Sequence, residues 1–391
     1  MPPHPPDPPR PPHQESPVKG IVVPFEPDTL PAPLRRLGPP DVLERWRAVD
    51  RSAHAPHLVA VPRGDGEDWA AAALVTARPR TAYLKIVDAV GDVPAAVDAV
   101  VSSALHQGLA QVKWEGWTAS AEEAAGAGFA PLGVPLARAE DAGGPDSGYV
   151  RWLCEGAVPA APPYYGQTTH FTCGAVTALV AQAHAGALPR ESLDRTAELT
   201  LWRDATNFPA CEPVGLGLAV RRAWPSSPVT ISLDVDRPVL LDHLTESEQE
   251  WRAVLQRASR RGAGEIGVPI DSRHLPLTAI RSAIGRREHV LLLVSLAAMQ
   301  GFDVPHWVLC HGAVAGAVVI EDPWANAATG DTWVDAHLLP VPDASLDAMS
   351  LISSDRFRGA VIIGSPEHSP PGRCSPPGGA TPAGRRRGSG R

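Results

Sequence analysis

The chain has 391 residues, room for two or three domains, and a formal net charge of −8, which gives no electrostatic footprint for nucleic acid or an anionic membrane. Hydrophobic residues make up 44% of it, ordinary for a globular protein, and no apolar run approaches the roughly 20 residues of a membrane helix. Five cysteines, Cys154, Cys173, Cys211, Cys310 and Cys374, are odd in number and scattered without a Cys-x-x-Cys pair. That pattern argues against a disulfide framework or a zinc ribbon and points to a reducing, cytoplasmic setting.

The ends are rich in proline. Residues 1–18 are expected to be disordered or extended, and they lack the apolar segment of a signal peptide. Residues 365–391 read as a disordered tail with a solvated basic run at Arg385, Arg386 and Arg387. Between them the first folded region covers 19–153. Segments 70–76 and 82–88 read as strands, and 94–106 as a helix with Pro94 in its first turn. Segment 111–114 is a further strand, and 119–128 a short helix closed by Gly128.

This strand–strand–helix–strand–helix order, followed by Gly128 and Phe129, resembles the C-terminal half of a GNAT acetyltransferase. That family cradles pyrophosphate on backbone N–H groups of a glycine-rich loop. Here the corresponding stretch, 87–94, has Gly91 alone and carries Asp88 and Asp92, which repel phosphate. The resemblance therefore implies a degenerate α/β domain, non-catalytic, that positions something for its neighbour. No cofactor is expected.

A linker, 154–163, carries Pro159, Pro162 and Pro163 and leads into the second region, 164–364. Cys173 precedes Val176, Leu179, Val180 and Ala183, an i, i+3, i+4, i+7 pattern that places it in the first turn of a helix, capped by Thr172 or Thr169. A helix N-terminus favours thiolate over thiol. Gly174 leaves space for a substrate carbonyl, and Gln167 can fold its amide back as an oxyanion donor. By itself this segment equally suits a small core cysteine.

The later sequence supplies partners. Segment 305–311 has strand character and 317–322 runs back along it. If the pair closes around 313–315, cross-strand residue numbers sum to about 628, which brings His306 within one residue of Asp322. A histidine oriented by a carboxylate is the general base that a cysteine nucleophile needs. Gln167 and Cys173-Gly174, then His306-Trp307-Val308 on a strand, then Asp322-Pro323 together resemble the bacteriocin-processing, double-glycine-leader peptidases, which are papain-like cysteine peptidases. The fit is closer to a soluble branch in which such a domain follows a GNAT-like one. The resemblance implies Cys173 as nucleophile, His306 as base, Asp322 as orienting group and Gln167 as oxyanion donor. The chain departs from that family at Thr172 and Ala175, where an acid and a proline are common, and the membrane domain and ATPase cassette of the transporter members are not expected from its sequence.

A zinc site at His306, Cys310 and His311 is disfavoured, because residues 306 and 310 of one strand lie about 13 Å apart and residue 311 points the other way; no metal is expected. Cys211 reads as loop packing, and His170 as a solvent-exposed neighbour of the site. Tyr164, Tyr165, Trp202, Trp307 and Trp324 read first as core, with walls of a peptide groove as the alternative. Segments 190–203 and 245–258 are amphipathic helices, 229–233 and 289–295 strands, and 229–264 looks like an insertion beside a cleft. A nucleophile on an early helix, with base and orienting group on a later antiparallel sheet, is the papain-like α+β plan. The expected activity is hydrolysis of a peptide bond in a peptide or protein substrate, with no nucleic-acid or membrane partner. Acyl transfer through the same thioester, and peptide binding without catalysis, are the alternatives.

Overall fold

The computed structural model of the protein describes residues 20–364 apart from 65–66, 138–142, 206–208 and 243. The ends expected at 1–18 and 365–391, Cys374 included, lie outside the described residues. Two seven-stranded sheets organise the rest. The first holds β1 (Ile21–Pro24), β2 (His57–Arg63), β3 (Asp68–Thr76), β4 (Tyr83–Gly91), β5 (Gln111–Glu115), β6 (Ala130–Pro131) and β7 (Gly148–Trp152), in the order β1-β2-β3-β4-β5-β7-β6. Its one parallel pair is β4 with β5, joined by the Val93–His106 helix, the kind of crossover that a parallel pair requires. The strand–strand–helix–strand–helix succession expected from 70 to 128 is present, closing with the Ala121–Gly126 helix.

The second sheet holds β8 (Val229–Leu233), β9 (Ile270–Asp271), β10 (His289–Ser295), β11 (Pro305–Val314), β12 (Ala317–Glu321), β13 (Leu339–Pro342) and β14 (Gly359–Ile363), in the order β13-β12-β11-β10-β14-β8-β9. Both sheets mix parallel and antiparallel pairs, and the fold is α+β. Residues 229–233 are not part of an insertion, since β8 pairs with β14 along its whole length and buries Ile231 and Leu233. Only the segment after it stands beside the cleft.

β10 explains how the layers form. Its apolar run, Val290 to Val294, alternates faces: Leu291 and Leu293 join one core cluster, and Val290, Leu292 and Val294 join another. A strand buried on both faces reads as continuous apolar sequence. The Cys173–His184 helix packs on β10 and β11 and is covered outside by the Arg195–Ala205 and Pro213–Ala223 helices. Residues 173–182 are therefore all buried, and the helix is apolar all round rather than along one stripe. Among the described residues no helix is long and apolar enough to cross a membrane.

The sheets are tied together. Ala110, Leu132 and Val150 share an apolar cluster with Val319, Trp333 and Leu338. Beside it Lys85 pairs with Glu115 at 2.7 Å and with Asp335, while Lys113 donates to the carbonyls of Asp335 and His337 at 2.8 and 2.6 Å. Buried ammonium groups need such partners.

Candidate active site

Cys173 opens its helix at the floor of a cleft of about 1310 Å³, whose lining also includes His170, Phe171, Arg80, Arg252 and Asp303. The preceding loop is held by a residue that periodicity did not single out. Glu198, fully buried, accepts from Tyr165 Oη, Thr168 N and Thr168 Oγ1 at 2.9 Å each and from Thr172 Oγ1 at 2.5 Å. Thr172 occupies the N-cap position, yet its hydroxyl serves Glu198 instead of capping the helix. The cue was present in the sequence, for Glu198, Leu201 and Ala205 share one helical face and all three are buried.

Gly174 has a different reason from the one expected. A Cβ there would come within 3.1–3.3 Å of Trp307, Cys211 and Leu216, so the glycine lets the helix approach β11 and does not clear space for substrate. Cys211 packs behind the helix and is buried, and its carbonyl accepts from Trp307 Nε1 at 3.0 Å. Tyr164, Tyr165 and Trp307 are core residues as first read, and Trp202 packs on Phe171. His170, by contrast, is exposed on the cleft wall.

The hairpin that brings His306 and Asp322 together closes one step later than expected. Val314 pairs with Ala317 and Leu309 with Glu321, with a bulge between Cys310 and Gly312, and Gly316 turns with φ +71°. Asp322 thus lies just past β12 and diagonal to His306, not opposite it. The side chains still meet, with His306 Nε2 and Asp322 Oδ1 2.7 Å apart. With Nε2 engaged, Nδ1 is the ring nitrogen left for the Cys173 sulfur, which acts on His306 both as a hydrogen-bond partner and as a charge.

The electrostatics follow from burial and pairing. Burial pulls the His306 imidazole down, but the Asp322 carboxylate and then Cys173 push it up, to about 10. Burial pushes the Asp322 carboxyl up, while His306 and then Arg78 outweigh it and bring it down to about 2. Asp322 is fully buried and its acceptors are used: Oδ1 also takes Trp324 N at 2.9 Å, and Oδ2 takes Arg78 Nη1 at 2.6 Å. Gln167 is buried in the loop before Cys173, its Nε2 donating to Thr169 O at 2.8 Å. One amide hydrogen of Gln167 is left over.

Residues 162–364, just over half of the chain, match the family described as Peptidase_C39 like. The chain belongs to that family. Among curated proteins, none matches it. Gln167, Cys173, His306 and Asp322 all lie in the stretch that matches the Peptidase_C39 like family, which points to peptidase-type chemistry. Arg78 lies outside it.

Cys310, far along β11 from His306, is fully buried and its thiol is pushed up by burial. The His311 ring packs on His184 of the Cys173–His184 helix, centroids 5.7 Å apart, with Nε2 3.3 Å from Glu321 Oε1. Among the described residues no group of three or more His, Cys, Asp and Glu side chains could hold a metal ion.

Proposed function

We propose that this chain is a cysteine peptidase of papain-like design that hydrolyses a peptide bond. One observation carries the reading: a histidine fixed by a buried carboxylate keeps its second nitrogen for a thiol that lines an open cleft. The Cys173 thiolate attacks the scissile carbonyl. The oxyanion that forms takes the N–H of Cys173, unpaired at a helix start, and the second amide hydrogen of Gln167. His306, held as imidazolium, gives its proton to the leaving amine, which departs as the C–N bond breaks. Neutral His306 then takes a proton from water as the hydroxide attacks the thioester, and the carboxylate product leaves. Asp322 fixes the ring orientation and balances its charge in both steps.

The first sheet fits a degenerate GNAT-like unit. Asp92 caps the 93–106 helix, accepting from Ala95 N at 3.2 Å, so a carboxylate occupies the helix start where an acetyltransferase would hold phosphate. A ribosomally made precursor peptide is the client class that the family resemblance suggests, and the size of the cleft suits an extended peptide.

The test is product mass. Incubated with a mixture of synthetic peptides, the wild type should release fragments ending in a free carboxylate, and Cys173→Ala none. Adding a small amine separates hydrolysis from transfer: amide products in place of acids would make the chain an acyltransferase. Fragments released equally by Cys173→Ala would end the cysteine reading.

A further inference from the structure

The carboxylate that orients His306 does not depend on its own half of the chain alone. Arg78 stands in the turn after β3, in the first sheet's unit. It is 1% exposed and reaches across to the second unit with its whole guanidinium engaged. Nη1 donates to Asp322 Oδ2 at 2.6 Å, Nε and Nη2 to the two oxygens of Asp331 at 3.0 and 2.7 Å, and Nη2 also to Trp324 O at 3.0 Å. This is a two-carboxylate fork that lysine cannot reproduce, since an ammonium is a point charge without the planar spread of donors.

The turn that carries Arg78 is itself fixed. Thr81 Oγ1 donates to Arg78 O at 2.6 Å, Ala77 N donates to His54 O, and Ala82 N donates across the interface to Pro340 O at 2.9 Å. Tyr83, whose hydroxyl accepts from Arg78 N, donates to Asp335 Oδ1 at 2.6 Å. Two residues on from Arg78, Arg80 stands on the cleft wall. One turn of the first unit thus grips the orienting carboxylate and contributes to the cleft.

We propose that Arg78 is a positioning residue for the Cys173–His306 pair, acting through Asp322, so that the N-terminal unit completes the peptidase site. The inference rests on the cysteine-peptidase reading. Its physical content is simple. Asp322 Oδ1 serves His306 and Trp324 N, and Oδ2 has Arg78. Without Arg78 a buried oxygen loses its donor, the carboxylate is free to rotate, and the histidine loses its fixed axis. The charge matters as well, because Arg78 helps to keep Asp322 ionised.

The charged and titratable groups around this point come from every neighbouring element. His306 of β11, with Cys173 behind it, and Arg78 face Asp322 directly, while the Tyr164 hydroxyl donates to its carbonyl at 3.2 Å. Asp331 faces Arg78, and Gln300 Nε2 donates to Asp331 at 3.0 Å. Asp335, Lys85 and Tyr83 stand behind, and His54 acts on Asp331 as a charge. Removing Arg78 leaves no other cation in contact with Asp322 apart from His306 itself, among the described residues.

The experiment follows iodoacetamide alkylation of Cys173 in the full chain from pH 3 to 9, read by peptide mass spectrometry. The proteins are the wild type, Arg78→Met and Arg78→Lys. In the wild type Cys173 should react much faster than Cys154; equal rates would refute the peptidase reading and leave nothing for Arg78 to position. Given a fast wild type, Arg78→Met should move the acid limb up by about one to three pH units, the effect of removing an adjacent opposite charge. Arg78→Lys keeps a charge, so its acid limb should stay near that of the wild type, while its rate at pH 7 falls about tenfold through lost orientation. If Arg78→Met does not fold, the Arg78→Lys rate alone decides. A folded Arg78→Lys with the wild-type rate and profile, or a folded Arg78→Met with an unmoved acid limb and merely a lower melting temperature, would overturn the proposal.

Discussion

Two consecutive acids at the end of β12 each hold a histidine sixteen residues away: Asp322 holds His306 at 2.7 Å, and Glu321 holds His337 at 2.8 Å. Both carboxylates are buried, and both are brought down to about 2, against the push of burial, chiefly by their histidines. The two contacts are alike in geometry, although Glu321 also meets His311 at 3.3 Å and Asp322 also meets Arg78 at 2.6 Å. They differ in what the second ring nitrogen meets. That of His306 is left for a thiol lining the cleft, whereas Nε2 of His337 is buried without a hydrogen-bond partner among the described residues and its ring packs on Tyr164. A histidine–carboxylate pair is therefore no signature of a site by itself. The nucleophile and the opening make the difference.

Exchanging the roles of the two pairs is the strongest way to break this comparison. His306→Ala should lower the peptide-hydrolysis rate by about 10⁴-fold or more, the size of effect seen when one member of a catalytic unit is removed. His337→Ala should leave that rate within about twofold per folded molecule, yet cost about 1–3 kcal/mol of stability, because Glu321 Oε2 loses its donor while His311 and Leu338 N still serve Oε1, as measured by denaturant unfolding. A smaller effect at Gln167 sharpens the account of the loop: Gln167→Ala should cost about 10²–10³ in kcat with little change in KM, as for loss of an oxyanion donor. An unchanged kcat would remove Gln167 from the mechanism.

Smaller again, and opposite in sign between regions, is the response of stability to pH. His306 is raised in the folded chain, so its stabilisation is complete below about 6.5 and is lost as pH rises towards 10. His184 and His289 lie 3.0 Å apart, Nδ1 to Nε2. Burial first, and then histidine neighbours, lower them to about 4 and about 3. Their contribution is present above about 6.5 and is lost as pH falls towards those values. Thermal unfolding should show His306→Ala flattening the alkaline side and His289→Phe the acid side. The same side flattened by both would contradict the assignment.

The sequence made the meeting of His306 and Asp322 legible because a hairpin needs only two apolar runs and a glycine turn, Gly312 to Gly316, to be seen. The bulge at Cys310 was not legible, and it shifted the register without separating the pair, since diagonal neighbours across strands remain within reach of long side chains. Cys173 at a helix start was readable from the apolar spacing after it. Arg78 was not legible, because its partners are remote in sequence and close only in space. Arg78 looks like a solvated turn residue until Asp331 and Asp322 arrive from more than two hundred residues away, whereas the cue for Glu198 was the helical face it shares with Leu201 and Ala205. The strand at 70–76 was clear from a nearly continuous apolar run, and those at 82–88 and 111–114 from apolar residues interrupted by Lys85 and Lys113. By contrast β1, with its exposed Ile21 and Val22, gives no such signal.

The central claim is that Cys173, and no other thiol, is the nucleophile that His306 serves. The most direct measurement is intact-mass and peptide-mapping mass spectrometry after treatment with a peptide-derived electrophile such as a vinyl sulfone. The account predicts one adduct per chain, on Cys173, absent from Cys173→Ala and formed at least about 100-fold more slowly in His306→Ala. Modification of Cys211 or Cys154 in its place, or equal labelling of Cys173 with and without the histidine, would contradict it.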